Sequence, residues 1–513
     1  MDSPSITPTR AENAPLLSPR ARILLLIIAG IVGLSLRLIC LSCPPYDSHH
    51  FRQCQTLSTI EAYQADGIDL MHPRTIYMGY PGVFVLEVPL FQAVCAFLYK
   101  IFGAHWEIPR LLNICLGGAS AWLLYQIARQ YFSHDIATLS TIIYWLAPLN
   151  ILFQRAFLLD PTAVLSGLAS FYFLGRILNE ERPPNLAEFL LFGIITVATA
   201  LIKALYLWPA VLLFAVCFFR RGPRLDARML RTISLFAFAG VLFVSWNRYA
   251  ARVNNLSPIS RGVQPTSLLG FDSLLKLGFY KEEILHRPKM WLGLSALFYP
   301  FGLWAGAKLL PNARKSIFGL FALIPPTYLI LFANINYPHD YYQLIITPFL
   351  AVTAAFGAEW VARIIFSRFF PRIKKSAGIV AVASLIIIWS APVYRVWLKH
   401  PILDPIALQF EKLASGKFEK GATGMLFVST NASHAPAGTY IPGYQYAAGL
   451  WGYGRVIGAE DEAKAQYEEF SPGFTRMDCL VFYGTDRPKW PVEKKFHLTS
   501  EDSANQLFIF RRN

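Results

Sequence analysis

From Arg22 to Trp397 the apolar residues come in blocks of bilayer-crossing length, joined by short polar turns. A helix needs about 20 mainly apolar residues to cross a hydrocarbon core of about 30 Å. The blocks predict eleven transmembrane helices, at 22–42, 107–131, 135–154, 160–178, 187–203, 204–220, 231–250, 289–308, 316–335, 342–366 and 376–397. The spans 187–203 and 204–220 are short, and Lys203 marks the turn between them. A further block, 82–103, is long enough to cross but contains Glu87 and Pro89.

Whether 82–103 crosses fixes the side of every later loop. Basic residues favour cytoplasmic loops. If 82–103 does not cross, the inner loops are the N-terminus with Arg10, Arg20 and Arg22, then 220–231, 308–315 and 363–375, all strongly basic. If it crosses, those later loops face outward. The first choice satisfies the charge rule, so 82–103 is expected to be a re-entrant or interfacial helix pair on the outer side. Asp47, Glu87, Asp160, Lys203, His339 and Asp340 then all fall on the outer face. Ionisable residues at the ends of spans are functional candidates by default.

Three regions follow. Residues 1–21 are polar and Pro-rich and read as a disordered cytoplasmic N-terminus. The run 23–41 is too long for a signal-peptide core and reads as an uncleaved first span. Residues 22–397 form the α-helical polytopic membrane domain, with about eleven spans and re-entrant outer helices. Residues 398–513 are polar and read as a soluble extracytoplasmic α/β domain, with β-like runs at 425–430, 479–483 and 507–510 and an acidic helix at 460–470.

Composition agrees with a membrane class. Of the 513 residues 54% are hydrophobic and 15% charged, against about 25% charged in a soluble domain. The net charge of +15 would suggest nucleic acid in a soluble protein. Here cytoplasmic loops facing anionic lipid account for it, and no nucleic-acid partner is expected. Seven cysteines include no CxxC pair. A Cys43–Cys54 disulfide and free, partly buried thiols both fit the first outer loop.

The chemistry-bearing residues are few. Tyr46 to Gln53 packs Asp47, His49, His50 and Arg52 into six positions. Arg52 has a planar fork suited to phosphate, His49 and His50 could donate to one, and Asp47 could accept a hydroxyl proton. The plainer reading is a solvated loop with an N-capping Asp. Glu87 is a lone glutamate among apolar residues, which calls for a partner. Asp160 precedes Pro161, an ordinary helix start. Lys203 could snorkel to the interface or neutralise a phosphate. In the outer turn 336–343, His339, Asp340 and Tyr342 are candidates for substrate contact, although paired tyrosines also anchor helices at interfaces. His434 and the 440–453 stretch are weaker candidates for meeting an acceptor.

The order of these features resembles the GT-C glycosyltransferases, in particular the protein O-mannosyltransferase and aminoarabinose-lipid A transferase-like family. The matching pieces are the Asp-led loop 47–56, Glu87-Val88-Pro89-Leu90, Phe102-Gly103 to Arg110, Leu159-Asp160-Pro161, Lys203, and His339-Asp340-Tyr341-Tyr342-Gln343. The resemblance covers about residues 22–350. It implies transfer of a sugar from a polyprenyl-phosphate-linked donor to a lipid, glycan or protein acceptor outside the cytoplasm. Asp47 would be the catalytic carboxylate. Glu87 and Asp160 would lie near the acceptor and a divalent metal ion, the one cofactor the resemblance allows for. Arg52 and Lys203 would contact phosphate. One departure is Val88, where many members carry a basic residue before the proline; the His49–His50 pair could compensate. The implied location is a multi-pass plasma membrane protein, the inner membrane if bacterial. Two other readings compete: a transporter or flippase for a lipid-linked substrate, and a glycan polymerase or ligase. The first is disfavoured by the absence of repeated halves.

Overall fold

The computed structural model describes residues 16–512 except 180–184, 221–224, 258, 262–269, 371–373, 398–402, 419–421, 434–436, 438–440, 472–473, 475–476 and 486–495. The expected disordered tail, through residue 15, lies outside the described residues, as do His434 and Tyr440. The chain forms two compact units. The first comprises residues 1–41, 110–244 and 266–400, and the second 42–109, 245–265 and 401–513.

The first unit is helical. Helix α1 (Pro19–Leu38) opens at Ser18, whose side chain accepts the Ala21 N–H, with Pro19 in the first turn. The second unit contributes the next two helices in chain order, α2 (His50–Asp66) and α3 (Leu90–Phe102). The first unit then resumes along α4 (Glu107–Tyr131) with α5 (His134–Leu146), α6 (Pro148–Phe153), α7 (Asp160–Ile177), α8 (Leu186–Lys203) and α9 (Trp208–Arg220); α10 (Ala227–Asn254) begins in the first unit and, from residue 245, belongs to the second. After shorter pieces come helices Tyr299–Leu309, Asn312–Leu331, Thr347–Phe369 and Lys375–Pro392.

The molecule is a polytopic membrane protein, but eleven spans are not what it contains. Among the described residues six helices are long and apolar enough to cross a membrane: Pro19–Leu38, Glu107–Tyr131, Leu186–Arg220, Ala227–Asn254, Asp340–Phe369 and Lys375–Arg395. The others fall short for local reasons. Pro148 divides 135–154, since the residue before a proline avoids helical backbone, and Ala147 is extended (φ −61°, ψ 128°). The block 289–308 breaks at Gly293 (φ 58°) into a 3₁₀ segment. Helix Asn312–Leu331 runs on through Pro325 and Pro326 but opens with the charged Arg314 and Lys315, and α7 carries Asp160 and Arg176 near its ends. The two spans expected over 187–220 are one helical run, interrupted where Lys203 turns extended (φ −157°, ψ 93°). Helix α3 has 13 residues, about 20 Å of helix, too short to cross.

Helix Thr347–Phe369 is central to the first unit, with every residue from Thr347 to Ala358 buried. Its Gly357 and the facing Gly302 let two backbones meet. A Cβ at Gly302 would overlap the Thr353 carbonyl, and one at Gly357 the Phe298 carbonyl.

The second unit is built on a five-stranded sheet: β1 (Thr423–Ser429), β2 (Trp451–Ile457), β3 (Cys479–Tyr483), β4 (Phe496–Asp502) and β5 (Leu507–Arg512), in the order β2-β1-β3-β5-β4. β1 pairs parallel with β2 and β3, while β5 runs antiparallel to β3 and β4. β1 and β3 are apolar and buried on both faces, as central strands of a covered sheet are. One face packs on Ile76, Tyr77, Met78, Phe84 and Ile259. The other carries Phe410, Ala414, Ile441 and Tyr444. The first-loop region therefore shares a core with the C-terminal sheet. The Gly452 N–H donates to Ile76 O at 2.8 Å, and the Gly79 N–H to Gly452 O at 2.7 Å. Cys40 and Cys43 are disulfide-bonded. Cys54 is a buried free thiol, so the Cys43–Cys54 bridge does not form.

Two carboxylate clusters and their partners

The second unit holds the Asp47 cluster. His49 adopts a left-handed conformation (φ 56°) and precedes α2, so the chain reverses between Asp47 and the helix. Asp47 does not cap α2 through its side chain; it is buried, at 5% exposure, and accepts a hydrogen bond from Gln53 Nε2. Gln53 also donates to Ser48 O at 2.8 Å, which locks the loop. The loop is anchored on either side. Tyr46 is buried and its carbonyl accepts the Asp404 N–H at 2.7 Å. The His50 ring lies where a Cβ on Gly443 would sit, 2.8 Å from its Cδ2. Burial pushes the His50 imidazole below its ordinary pKa, the His49 ring acting in the same sense and Asp404 and Asp47 opposing it. His50 is thus a neutral donor near pH 7 rather than a cation.

Arg52 and Glu87 find each other. The guanidinium donates to both Glu87 oxygens, at 2.7 and 2.8 Å, and to Gln55 Oε1 at 2.8 Å. The loop carrying Glu87 is held by α10: Asn254 accepts the Val85 N–H and donates to Val85 O, both at 2.8 Å, and Trp246 donates to Leu86 O at 2.7 Å. Gln53, Trp246 and Asn254 were not legible as site residues, since polar side chains spaced this far apart give no sequence signal.

The first unit holds the Asp160 cluster. α7 starts at Asp160 with Pro161 in its first turn, as the sequence suggests, and no side chain caps it; Asp160 has further partners. Its Oδ1 receives the Lys203 ammonium at 2.5 Å and the Tyr206 hydroxyl at 2.7 Å, with Asp160 and Lys203 both buried. Oδ2 is buried and lacks a hydrogen-bond partner among the described residues. Lys203 does not snorkel. Its Nζ lies 3.8 Å from the centre of the Tyr342 ring and 5.0 Å from that of Tyr341, favourable for a desolvated cation. Tyr341 and Tyr342 stack at 4.9 Å, and the exposed His339 ring lies 5.4 Å from Tyr341. The Tyr328 hydroxyl donates to Tyr342 O at 3.0 Å. Asp340, half-buried, opens the 3₁₀ turn Asp340–Ile346. Asn113 clasps the segment before Asp160, donating to Ala156 O and Leu158 O at 2.7 and 2.8 Å.

Glu87 and Asp160 each face a cation. Among the described residues no group of three or more His, Cys, Asp or Glu is placed to hold a metal ion.

A match to the family described as dolichyl-phosphate-mannose-protein mannosyltransferase covers residues 87–246. No curated protein matches the sequence. Among solved structures, ArnT from Cupriavidus metallidurans is similar in its apo state, with TM-score 0.61 and 12% identity over 94% of this chain and 97% of that one. The same protein bound to undecaprenyl phosphate gives a TM-score of 0.60 at the same identity and coverage. The likeness is one of fold, over nearly the whole of both chains. The oligosaccharyltransferase AglB from Archaeoglobus fulgidus, in complex with an inhibitory peptide and a dolichol-phosphate, is also similar in fold, with TM-score 0.53 and 12% identity over 90% of this chain and 69% of that one.

Proposed function

We propose that the chain is a membrane glycosyltransferase that moves a sugar from a polyprenyl-phosphate donor to a hydroxyl of an acceptor outside the cytoplasm. The observation that carries the reading is the buried Asp160–Lys203 pair, ringed by Tyr206, Tyr341 and Tyr342. A buried ion pair is seldom the cheapest way to stabilise a protein. A cation held at fixed depth with aromatic neighbours suits an anionic lipid headgroup better than it suits core packing.

In the proposed reaction the acceptor oxygen attacks the anomeric carbon. The bond to the phosphate oxygen breaks, its electron pair leaves with the phosphate, and the acceptor proton passes to Asp47. A single displacement inverts the anomeric centre. Each unit supplies a fixed cation suited to the charge on a leaving phosphate, Lys203 in the first and Arg52 in the second; His49 and His50 in the second unit and His339, Asp340 and Tyr342 in the first are proposed to bind substrate hydroxyls or phosphate. Glu87 and Asp160 hold the two cations in place. The N-terminus is assigned to the cytoplasm and the C-terminal sheet to the outside.

Within the GT-C group, the mannosyltransferase match over 87–246 and the likeness to ArnT favour a monophosphate-linked sugar. The likeness to the oligosaccharyltransferase favours a second reading, in which a preassembled glycan is transferred. The test is carrier-dependent transfer by purified protein in detergent, followed by mass spectrometry of the product. Transfer without a sealed vesicle or gradient is expected, with one sugar added per turnover. A requirement for a gradient would instead indicate transport, and addition of a whole glycan would select the second reading.

A further inference from the structure

The first unit contains a cavity of about 500 Å³, within the range of ligand pockets. It lies far from the Asp160 cluster. Helix Thr347–Phe369 starts beside Tyr342, and the cavity residue Glu359 is twelve residues further on, about 18 Å along the axis. The cavity opens where two helical turns meet. Ser133 and Asp135 come from the α4–α5 turn, Arg314 from the start of helix Asn312–Leu331, and Glu359, Trp360 and Arg363 from helix Thr347–Phe369. The basic loops of the sequence put these turns on the cytoplasmic side.

Its lining is charge-balanced, with two carboxylates and two guanidinium groups. Asp135 is buried and accepts the Leu16 N–H at 2.6 Å. Arg314 is also buried, at 7% exposure. Glu359 is largely buried and pairs at 2.6 Å with Arg363, which is 42% exposed. A carboxylate has about four acceptor positions and a guanidinium five donors, so the contacts of Asp135, Glu359 and Arg363 leave capacity for a ligand. A purely anionic ligand would meet two carboxylates, and a purely cationic one two arginines. A zwitterion with a phosphate and a short-armed ammonium matches both. At the rim, Trp360 packs on Phe301 and Trp304 with ring centres 5.7 and 4.8 Å apart. Phe301 and Trp304 are 44% and 48% exposed, an aromatic edge of the kind found at headgroup level.

We infer that this cavity binds the headgroup of a zwitterionic aminophospholipid of the cytoplasmic leaflet. The phosphate meets Arg314 and Arg363, the primary ammonium meets Asp135 and Glu359, and the acyl chains lie along Phe301, Trp304 and Trp360. A quaternary ammonium, with no N–H to donate, binds the carboxylates less well.

The experiment is native mass spectrometry of the delipidated full-length protein, titrated with phosphatidylethanolamine, phosphatidylcholine and phosphatidylglycerol of identical chains. Phosphatidylethanolamine is expected to bind at least tenfold more tightly than either. Asp135→Asn and Glu359→Gln each remove a carboxylate that meets the ammonium and are expected to erase the preference over phosphatidylcholine, while Arg363→Gln is expected to weaken the two zwitterionic lipids alike. Glu359→Gln keeps the test intact should Asp135→Asn misfold, since Asp135 holds the Leu16 N–H. Phosphatidylethanolamine with brominated chains is expected to quench tryptophan fluorescence in the native protein and less so in Trp360→Phe. Equal binding of the three lipids, preference for phosphatidylglycerol, or a preference over phosphatidylcholine that survives Glu359→Gln overturns the inference. None of these readouts depends on sugar transfer.

Discussion

At Asp160 one carboxylate oxygen takes both the Lys203 ammonium and the Tyr206 hydroxyl, while the other is buried and unpartnered among the described residues. Removing either charge leaves the other stranded, at a cost of about 3–5 kcal/mol. Asp160→Asn and Lys203→Met are each expected to lower the thermal midpoint measured in detergent. The double variant should recover most of that loss without regaining transfer. A double variant with native turnover would show that the pair is architectural. Asp47→Asn retains the oxygen that accepts from Gln53, so the fold should persist, while transfer drops by about 10²–10⁴ for a lost general base. Wild-type turnover in that variant would remove Asp47 from the chemistry.

Glu283 supplies a pH signal outside the spans. Burial pushes its carboxyl up to about 7 from an ordinary 4.5, with Arg287 and Gln343 opposing and the charges of Glu282 and Asp340 adding to the rise. Gln343 Nε2 donates to both Glu283 oxygens, at 3.0 and 2.9 Å. The folded state holds this proton more tightly than the unfolded chain. Its contribution to stability is therefore complete below about pH 4.5 and lost as the pH climbs through about 7, amounting to at most about 3 kcal/mol. Thermal midpoints between pH 5 and pH 8 should trace that loss, and Glu283→Gln should flatten it.

The elements that could be read from sequence were those whose signal is local. Long apolar blocks gave the single-pass helices α1, α4 and α10, and the β-like runs gave β1, β3 and β5. β2 escaped because Gly452 and Gly454 dilute its strand character, and β4 because it alternates along a half-exposed edge. The extra spans were over-read where Pro148 and Gly293 cut apolar blocks that hydropathy alone treats as continuous. Asn254 illustrates the opposite failure, because a polar residue at the end of a membrane helix gives no hint that it pairs with Val85, 169 positions away. Asn254→Ala strands the Val85 N–H and C=O, costing about 1–3 kcal/mol for each buried group. The Glu87 loop should loosen, raising KM for the donor more than it lowers kcat. An unchanged KM would separate this loop from donor binding.

At the scale of the whole chain, charge pairing was not legible. The positive-inside pattern sorts loops by side and is silent on partners: Arg52 meets Glu87 across 35 residues and Lys203 meets Asp160 across 43. Candidate cations read as phosphate ligands proved to be held by candidate carboxylates. The C-terminal sheet shares its core with Tyr77, Met78 and Phe84. Truncation before β1 should therefore bare those side chains and send the remainder into aggregates, visible as loss of a monodisperse peak on size exclusion. A monodisperse truncated protein would mean the first-loop region folds without the sheet.

The Lys203–Asp160 contact also bears on biogenesis. The ribosome makes α7 before α8, so the carboxylate is already waiting when the ammonium emerges. A lone lysine in the run Leu186–Arg220 would resist entry into lipid; accompanied by its earlier-made counter-ion, the segment can partition as a neutral hairpin partner. Synthesis order thus does part of the work of getting this charge into the membrane.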